Sequence, residues 1–488
     1  MQDEVFSDDV QNYIYLLKNG NKMIIFGTDG WRGLIARDFT FDNIQKVALA
    51  TARYVKKEFK NNPSVVIGYD TRFLSKEFAQ EVALVLASQG IIVHITEKFS
   101  STPQVSFHTK QKGANIGVVI TASHNPPEYN GFKMKASFGG PATPHQIARL
   151  EGELKGVLSK SPIINFKPMD FYLNTRKIRP FDAKESYIRN IKKKLDIEAI
   201  RNAKIKVLYD PMHGAGIETM KDILPDAEEI HGTYNPSFGE LHHPEPIGEN
   251  LFFLIEKVRS GKYDIGLATD GDADRLGAVD EEGNFVDAHR IFVITMKYLF
   301  EHKKKRGAVA KTISLTSMVN KYCEKHKITL HETPVGFKYI AELMSKEKIL
   351  IGGEESGGFG TVLHIPERDG IFNGMLLLEI MAIRKKSLKE LSKELDEEFG
   401  IHRFQRRDVR VTTQLKKQIL SGCEKSPKML GRYPVLGNST LDGFKFFVDG
   451  GWLLIRASGT EPLIRFYSEA DSLSKVNELL DEGMKLKK

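Results

Sequence analysis

The sequence predicts an α/β protein with three similar α/β domains, whose mixed and largely parallel sheets surround a central cleft, and a smaller C-terminal α+β domain. Short apolar segments alternate with amphipathic helical segments from residue 24 onward. This alternation is typical of α/β units with a largely parallel sheet. It restarts twice along the chain, and each round sends one apolar segment directly into a polar loop. The last part of the chain lacks the alternation, which sets the fourth domain apart.

Residues 1–22 are predicted to be an N-terminal extension. Apolar residues recur there at helical spacing: Val10, Tyr13, Ile14 and Leu17. The resulting short helix either docks on the body of the protein or precedes a start at Met23.

The first domain is predicted to span residues 23–180. "SVVIGYD" (64–70) is predicted to be a buried strand, 75–89 a helix that ends at Gly90, and "IIVHI" the next strand. An earlier amphipathic helix is indicated by apolar and small residues at helical spacing: Ile44, Val47, Ala48, Thr51 and Val55.

Two further α/β domains are predicted over 181–297 and 298–400. The second opens on "KIKVLYDPMHGAGI", which repeats the layout of the first strand and loop, and the third on "GAVAKTISLTSM". The fourth domain, 401–488, has paired strand-like segments around Asp449-Gly450-Gly451, which is a hairpin turn signal.

Composition limits the function classes. The 488 residues suit three or four domains of about 150 residues. The 71 basic and 63 acidic residues give a net charge of +8, which suits an anionic partner. The basic runs are scattered, fall at predicted helix ends and are not interleaved with aromatic residues, which argues against nucleic acid.

The cellular compartment is predicted from cysteine usage and hydropathy. Cys323 and Cys423 are far apart and form no metal-binding or disulfide pattern, which fits a reducing compartment. No apolar run approaches membrane-spanning length, and the acidic N-terminus argues against a signal peptide. We therefore expect a cytoplasmic protein without a membrane partner, either a monomer or a homo-oligomer.

Three polar loops follow predicted strands, in "IGVVITASHNP", "YDIGLATDGDADR" and "ILIGGEESGG". Ligand sites in open α/β sheets lie at the carboxyl ends of the strands. The three loops are therefore expected to face one another in a cleft between the three domains.

Three carboxylates within five residues, Asp270, Asp272 and Asp274, predict a site for a hard cation. A solvated acidic turn is the alternative. With Glu281 they also match positions one, three, five and twelve of a calcium-binding EF-hand loop. That loop needs glycine at position six, where this chain has Arg275, and the flanks are strand-like, so an EF-hand is disfavoured.

"RASGTEPLIR" (456–465) combines guanidinium groups, hydroxyls and a glycine: Arg456, Ser458, Gly459, Thr460 and Arg465. This set suits a phosphate dianion, although a surface hairpin turn with flanking basic residues is the alternative.

"GGEESGG" (352–358) places Glu354 and Ser356 where they can hydrogen-bond hydroxyls, or it forms a flexible acidic loop. Ser123 ends a strand, which is a usual place for a nucleophile and equally for a helix N-cap. A cation held by the three aspartates would assist this hydroxyl and stabilise phosphoryl transfer. The serine, the acidic triple and the phosphate loop therefore make joint chemical sense.

The chain resembles the phosphohexomutase superfamily, specifically its phosphoglucomutase/phosphomannomutase members. The resemblance covers residue 23 to the end and rests on ordered motifs: "FGTDGWRG", "GYDTR", "TASHNP", "NGFK", "DGDADR", "TPVGFK", "GGEESGG" and "RASGTEP".

The resemblance implies roles for individual residues. Ser123 would carry the phosphoryl group and, with Asp270, Asp272 and Asp274, would hold one Mg²⁺. The reacting oxygen would be surrounded by Arg32, His124 and Lys133, with Lys133 as the first candidate for the general acid/base. Substrate would be bound by Arg275, Lys338, Glu354, Ser356, His364, Arg368, Arg456, Ser458, Gly459, Thr460 and Arg465.

The resemblance further implies a phosphoglucomutase that interconverts glucose 1-phosphate and glucose 6-phosphate, with glucose 1,6-bisphosphate as intermediate and activator. Lys338, and Gly358 where other members carry histidine, resemble the glucomutase branch. A phosphomannomutase or a dual-specificity phosphohexomutase is the alternative. A metal-dependent sugar phosphatase and a non-catalytic sugar-phosphate sensor are remoter ones.

Overall fold

The computed structural model describes residues 24–160, 162–457 and 463–486. The helix predicted within 1–22 lies outside the described residues. The described chain forms three α/β units, each with its own mixed sheet, and a fourth unit built on an antiparallel sheet. The predicted fold class is confirmed.

The first unit is built on a seven-stranded sheet. Its strands are β1 (Trp31–Leu34), β2 (Ser64–Tyr69), β3 (Ile92–Thr96), β4 (Ile116–Ile120), β5 (Tyr129–Ala136), β6 (Gly140–Pro141) and β7 (Ile178–Phe181). Its helices are α1 (Phe41–Glu58), α2 (Ser75–Ser88), α3 (Thr102–Gln111), α4 (Pro144–Lys160) and α5 (Met169–Asn174). The strand order is β1-β5-β4-β2-β3-β7, in which β4, β2, β3 and β7 are parallel and β5 is antiparallel to its neighbours.

The second unit has helices α6 (Lys184–Lys194), α7 (Ile197–Asn202), α8 (Thr219–Ile223) and α9 (Phe252–Lys257). Its strands are β8 (Val207–Asp210), β9 (Glu228–Glu229), β10 (Ile265–Thr269), β11 (Leu276–Val279) and β12 (Phe285–Val286). They are ordered β12-β11-β10-β8-β9, with β10, β8 and β9 parallel.

The third unit contains β13 (Ala308–Thr312), β14 (Leu330–Thr333), β15 (Ile349–Gly353) and β16 (Phe359–Thr361) in the order β14-β13-β15-β16. Its helices are α10 (Ala288–Glu301), α11 (Met318–His326), α12 (Phe337–Lys346), α13 (Gly370–Arg384) and α14 (Leu388–Phe399).

The fourth unit contains β17 (Arg403–Arg410), β18 (Met429–Leu430), β19 (Tyr433–Pro434), β20 (Gly437–Ser439), β21 (Phe444–Val448), β22 (Gly451–Ala457) and β23 (Leu463–Ala470), with helices α15 (Thr413–Glu424) and α16 (Leu473–Lys485). The main sheet, ordered β17-β23-β22-β21-β20, is entirely antiparallel. The predicted turn at Asp449-Gly450 joins β21 to β22, and Gly450 has the left-handed φ of 59° that such a turn requires.

The three α/β units share one local plan. In each, a fully buried parallel strand runs into a loop, and the chain returns as an antiparallel neighbour: β4 to β5, β10 to β11, and β15 to β16. Every residue of the three outgoing strands is buried, as expected of apolar segments covered on both faces. Each polar loop therefore starts from a rigid base.

Helix α10 affects where the second unit ends. Its Phe292 ring lies 6.0 Å from that of Phe359, and its Arg290 donates to Asp396 at 2.7 Å. Since both partners belong to the third unit, we propose a division just before α10 rather than at residue 297.

Candidate active site

Ser123 lies just beyond β4 in a strained conformation. Its φ is 55°, which is uncommon for a residue other than glycine, and it is 1% exposed. Its amide donates to Thr121 Oγ1 at 2.8 Å, and its carbonyl accepts from Arg72 at 2.6 Å. Arg72 also donates to the carbonyls of Asn125 and Pro126. Arg72, the last residue of the "GYDTR" motif, thus holds the backbone around Ser123 through several hydrogen bonds. A strained backbone conformation persists where the surrounding contacts fix it in this way.

Asp270 organises the loop that follows β10. Its Oδ1 accepts the amides of Asp274 and Arg275 at 2.9 and 3.1 Å. Its Oδ2 accepts the hydroxyl of Ser123 at 2.8 Å. The predicted nucleophile and the predicted metal loop, from different units, are therefore in direct contact.

The three aspartates form a group that fits a divalent cation. Asp270, Asp272 and Asp274 are fully buried, and they offer carboxylate oxygens that lie within 4.8 Å of one another. The Oδ1 atoms of Asp272 and Asp274 are buried without a hydrogen-bond partner, which is costly unless a ligand meets them. Burial, and then the charges of its two neighbours, raise the pKa of Asp270 well above its usual value. The flanking elements are strands, which rules out an EF-hand.

Lys133 on β5 closes one side of this group. Its ammonium lies 2.8 Å from Asp272, 2.7 Å from Asp29 and 3.5 Å from Asp274. Burial acts to lower the pKa of Lys133, but these three carboxylates outweigh it and raise the pKa above the usual value. Thr102, at the start of α3, donates to the same oxygen of Asp272 at 2.5 Å. Lys133 is therefore a protonated cation at neutral pH.

Arg368 links the loop after β15, which carries Glu354, to the loop after β10, which carries Asp274. It donates to Glu354 at 3.0 Å, to Asp29 at 2.7 Å and to Asp274 at 2.5 Å. Burial raises the pKa of Glu354 to about 7, partly offset by Arg368. A Cβ added at Gly358 would lie 2.3 Å from Cδ of Arg368, so a side chain at position 358 would require this arginine to move from its observed position.

Three more predicted residues lie around Ser123. His124 Nδ1 is 3.3 Å from Ser123 Oγ, and burial together with Arg275 lowers the pKa of His124 well below its usual value. Arg32 donates to Asn125 at 2.5 Å. Arg275 donates to Glu245 at 2.7 Å, and its Nε is 4.0 Å from Asp270.

The phosphate-loop arginines lie opposite each other on neighbouring strands. Arg456 on β22 and Arg465 on β23 are Cα partners in the sheet. Arg456 donates through Nε to Asp442 at 2.7 Å, and Arg465 pairs with Asp408 at 3.3 Å. The other predicted members of this loop, Ser458, Gly459 and Thr460, lie outside the described residues.

Comparison with known proteins decides the family. Models of alpha/beta/alpha domains I, II and III of phosphoglucomutase/phosphomannomutase match residues 23–160, 185–283 and 287–399, and the model of the C-terminal domain matches 409–486. The chain belongs to the phosphoglucomutase/phosphomannomutase family. It is therefore an isomerase-type phosphotransferase of the phosphohexomutase superfamily.

Three relatives illustrate the breadth of this phosphohexomutase family. A phosphoglucomutase/phosphomannomutase of Thermococcus kodakarensis is 31% identical and aligns over 95% of this chain and 98% of its own. A phosphoglucosamine mutase of Bacillus cytotoxicus is 32% identical over 93% and 96% of the two chains. A crystal structure from Thermus thermophilus, provisionally described as a phosphomannomutase, is 33% identical, covers 95% and 98%, and superposes with a TM-score of 0.82.

His364 is not brought to the active site of this phosphohexomutase. Its Nε2 lies 3.0 Å from Asp369 and its Nδ1 3.1 Å from Asn190, and its ring stacks on Phe372 at 4.5 Å. It lines a separate cavity of about 450 Å³ with residues of α3 and α6, among them Phe107. Both ring nitrogens therefore have polar partners in this structure, and a role of His364 in substrate binding stays a prediction.

Two further predicted residues, Ser356 and Lys338, make no described contact with Asp270, Asp272 or Asp274. Ser356 is half-buried on the turn between β15 and β16. Lys338 is half-buried at the start of α12, 5.4 Å from the ring centroid of Tyr339, and burial lowers its pKa.

Several residues that contact this centre are not among those predicted from the sequence. Asp29 contacts both Lys133 and Arg368, and Glu245 pairs with Arg275. Asp29 belongs to the recognised "FGTDGWRG" motif, which was the available signal for it. Thr102 and Glu245 carry no such signal.

Among the residues described, no helix combines the length and the apolar character that a bilayer crossing requires.

Proposed function

We propose that the chain is a phosphoglucomutase that interconverts glucose 1-phosphate and glucose 6-phosphate through a phosphoserine at Ser123. One observation carries the proposal: the Ser123 hydroxyl lies 2.8 Å from Asp270, inside a buried carboxylate group with two unpartnered oxygens. A hydroxyl beside a divalent-cation site is the arrangement that phosphoryl transfer needs.

The proposed reaction has two transfers. In the first, the Oγ–P bond of phospho-Ser123 breaks and a P–O bond to the free sugar hydroxyl forms, giving glucose 1,6-bisphosphate, while the proton of that hydroxyl passes to Ser123 Oγ. In the second, the bisphosphate turns over within the cleft and its other phosphate returns to Ser123, while the Ser123 hydroxyl proton passes to the sugar oxygen that this phosphate leaves. Added glucose 1,6-bisphosphate is proposed as activator because it rephosphorylates Ser123.

The residues around Ser123 have distinct proposed tasks. Mg²⁺ would be held by Asp270, Asp272 and Asp274, and when bound it supplies positive charge that stabilises phosphoryl transfer. Lys133 and His124 move the proton at the reacting oxygen, with Lys133, held by three carboxylates, as the donor.

The remaining contacts position the sugar. Glu354 and Ser356 are proposed to bind sugar hydroxyls, and Arg275, Lys338 and Arg368 to face the substrate. Arg456 and Arg465, with Ser458, Gly459 and Thr460, are proposed to bind the phosphate that is not reacting.

Glucose is the proposed sugar, with mannose phosphates as slower substrates. Glucose and mannose differ only at the 2-hydroxyl, so one contact decides between them, worth about 1–3 kcal/mol or roughly ten- to a hundredfold. The fit between Gly358 and Arg368 favours the glucomutase branch, since a histidine at position 358 would require Arg368 to move from its observed position. The relatives named for glucosamine phosphates make the aminosugar the competitor to test.

The nucleophile is tested with Ser123→Ala, assayed on glucose 1-phosphate with Mg²⁺ and a trace of glucose 1,6-bisphosphate. We expect turnover to fall by several orders of magnitude with the fold intact, because the covalent relay is lost. Intact-protein mass before and after phosphatase treatment should show one phosphoryl group on the wild type and none on the variant. The control is Ser159→Ala, which changes an exposed serine on helix α4. Near-native activity of Ser123→Ala would exclude the assignment.

The same assay separates the other classes. Release of inorganic phosphate without isomer would indicate a phosphatase, and binding without turnover or serine phosphorylation a sensor. Values of kcat/KM for glucose, mannose and glucosamine 1-phosphates under one Mg²⁺ condition test the sugar. A higher value for mannose or glucosamine would overturn the glucose preference and leave the mutase chemistry standing.

A further inference from the structure

Asp442 makes an unusual double contact between two units of the protein. It lies between β20 and β21 of the fourth unit, and a single oxygen, Oδ2, accepts two hydrogen bonds. One comes from the backbone amide of Val335 at 2.8 Å and the other from Nε of Arg456 at 2.7 Å. The Asp442 and Arg456 side chains are only 21% and 17% exposed, so water screens this contact weakly.

The two partners belong to different substrate-facing elements. Val335 lies in the loop between β14 and α12 of the third unit, three residues before Lys338. Arg456 lies on β22 of the fourth unit. One carboxylate therefore joins the elements that carry two of the cations proposed to face the substrate.

The loop around Val335 is itself fixed against the first unit. Gly336 has a φ of 133°, and a Cβ added there would lie 2.7 Å from the methyl group of Thr28. Thr28 precedes Asp29, which contacts Lys133 and Arg368. Asp442 thus connects the phosphate-binding unit to a loop packed beside the catalytic centre.

The geometry of the bond suits a positioning role. It uses Nε of Arg456, so it sets the plane of the guanidinium without itself engaging the two terminal nitrogens. A guanidinium group that is already held in one orientation loses less conformational entropy when it binds a phosphate. A carboxylate near an anion site also repels the incoming phosphate, so Asp442 assists binding only through the arrangement that it imposes.

We propose that Asp442 is a positioning residue for phosphate recognition, which holds Arg456 and the loop between β14 and α12 in register for binding a hexose phosphate. This inference rests on the proposed function. Asp442 touches neither the aspartate group nor Ser123 in the described contacts, so its effect is on binding rather than on the transfer step.

The kinetic test is Asp442→Ala. We expect KM for glucose 1-phosphate to rise roughly ten- to a hundredfold, with kcat changed only a few-fold. Asp442→Asn retains an acceptor oxygen and should recover most of the loss. Asp471→Ala is the matched control, because Asp471 pairs with Lys475 on the exposed side of the same unit and should leave KM unchanged. A fall in kcat at unchanged KM would overturn the proposal.

A double-mutant cycle with Arg456→Ala tests whether Asp442 acts through that arginine. In the Arg456→Ala background, Asp442→Ala should raise KM by a smaller factor than in the wild type, because only the contact with Val335 is then left to lose. Fully additive effects would show that Asp442 acts independently of Arg456 and would overturn the proposal.

Hydrogen exchange gives a readout that does not need turnover. Asp442→Ala should speed exchange of the Val335 amide, while Asp471→Ala should not. If the wild type converts no hexose phosphate, the proposed function fails, and calorimetric binding of glucose 6-phosphate to the same variants still tests the positioning role. If conversion is normal but Val335 exchange and KM are unchanged in Asp442→Ala, the positioning role fails alone.

Discussion

Two buried lysines of this protein have opposite electrostatic surroundings. Lys133 in the active centre and Lys445 on β21 are 1% and 2% exposed. Lys133 lies among the carboxylates of Asp29, Asp272 and Asp274. Lys445 instead donates to the carbonyl of Ile313 at 2.6 Å and lies 4.0 and 5.5 Å from the ring centroids of Trp452 and Phe447. The two lysines are therefore about equally buried, but among the described contacts only Lys133 forms ion pairs that balance its charge.

The consequence is a difference in pKa. Burial acts to lower the pKa of both lysines. At Lys133 the three carboxylates reverse the effect, and the pKa lies above its usual value. At Lys445 burial dominates and, with the like charge of Lys311, lowers the pKa to about 7. The active centre thus keeps its cation by surrounding it with anions, whereas the junction of the third and fourth units tolerates a lysine that loses its charge.

The largest expected effect is on catalysis. Lys133→Met should lower kcat by roughly 10²–10⁴-fold, since it removes the proposed proton donor beside the reacting oxygen. Lys445→Met, an equally buried change at the other site, should keep kcat within a few-fold of the wild type. Steady-state kinetics on glucose 1-phosphate compare the two variants directly. Equal losses would mean that burial alone, and not the carboxylate surroundings, determines the importance of these lysines.

The next effect is on stability. Lys133→Met removes the cation nearest to Asp272 and leaves Arg368 as the partner of Asp29 and Asp274. Breaking a buried charge pair of this kind costs about 3–5 kcal/mol in the free energy of unfolding. Urea unfolding with and without Mg²⁺ measures it. A cation bound by the aspartates replaces part of the lost charge, so Mg²⁺ should stabilise the variant more than the wild type. No stabilisation of either protein by Mg²⁺ would contradict a site formed by these aspartates.

Much of the active centre could be predicted from the sequence, because the ends of buried strands can be recognised there. The segments before Ser123, Asp270 and Glu354 are apolar enough to identify buried strands, and loops after such strands converge in α/β sheets. The contact between Ser123 and Asp270 follows from that rule, although 147 positions separate them. Local periodicity was therefore sufficient for the fold class and for the three loops.

The contacts that the sequence did not predict depend on how whole units dock. Asp29 meets Arg368 across 339 positions, and Val335 meets Asp442 across 107. Neither aspartate follows an apolar strand, so no local pattern marks its partner. His364 likewise meets Asn190 of the second unit across 174 positions, a contact that its own motif does not indicate. The pKa values of Lys133 and Lys445 depend on the same docking.

The smallest expected effect concerns Lys445 and pH. The usual lysine pKa of 10.5 applies to the unfolded chain, whereas in the folded protein the pKa of Lys445 is lowered to about 7. Between these values the unfolded state binds a proton that the folded state lacks, so this lysine makes the free energy of unfolding rise with pH from about 7 upward. Below that range both states are protonated, and the folded state bears the cost of a buried ammonium.

Lys445→Met removes this titration. The difference in unfolding free energy between variant and wild type should therefore shift in favour of the wild type as pH rises, by about 1 kcal/mol per pH unit above neutrality. Urea unfolding across this range measures the slope, which is independent of any constant loss from the Ile313 hydrogen bond or the Trp452 contact. The exposed Lys425→Met should keep the wild-type slope. Parallel curves for wild type and Lys445→Met would mean that the buried amine stays charged, and the contrast with Lys133 would then disappear.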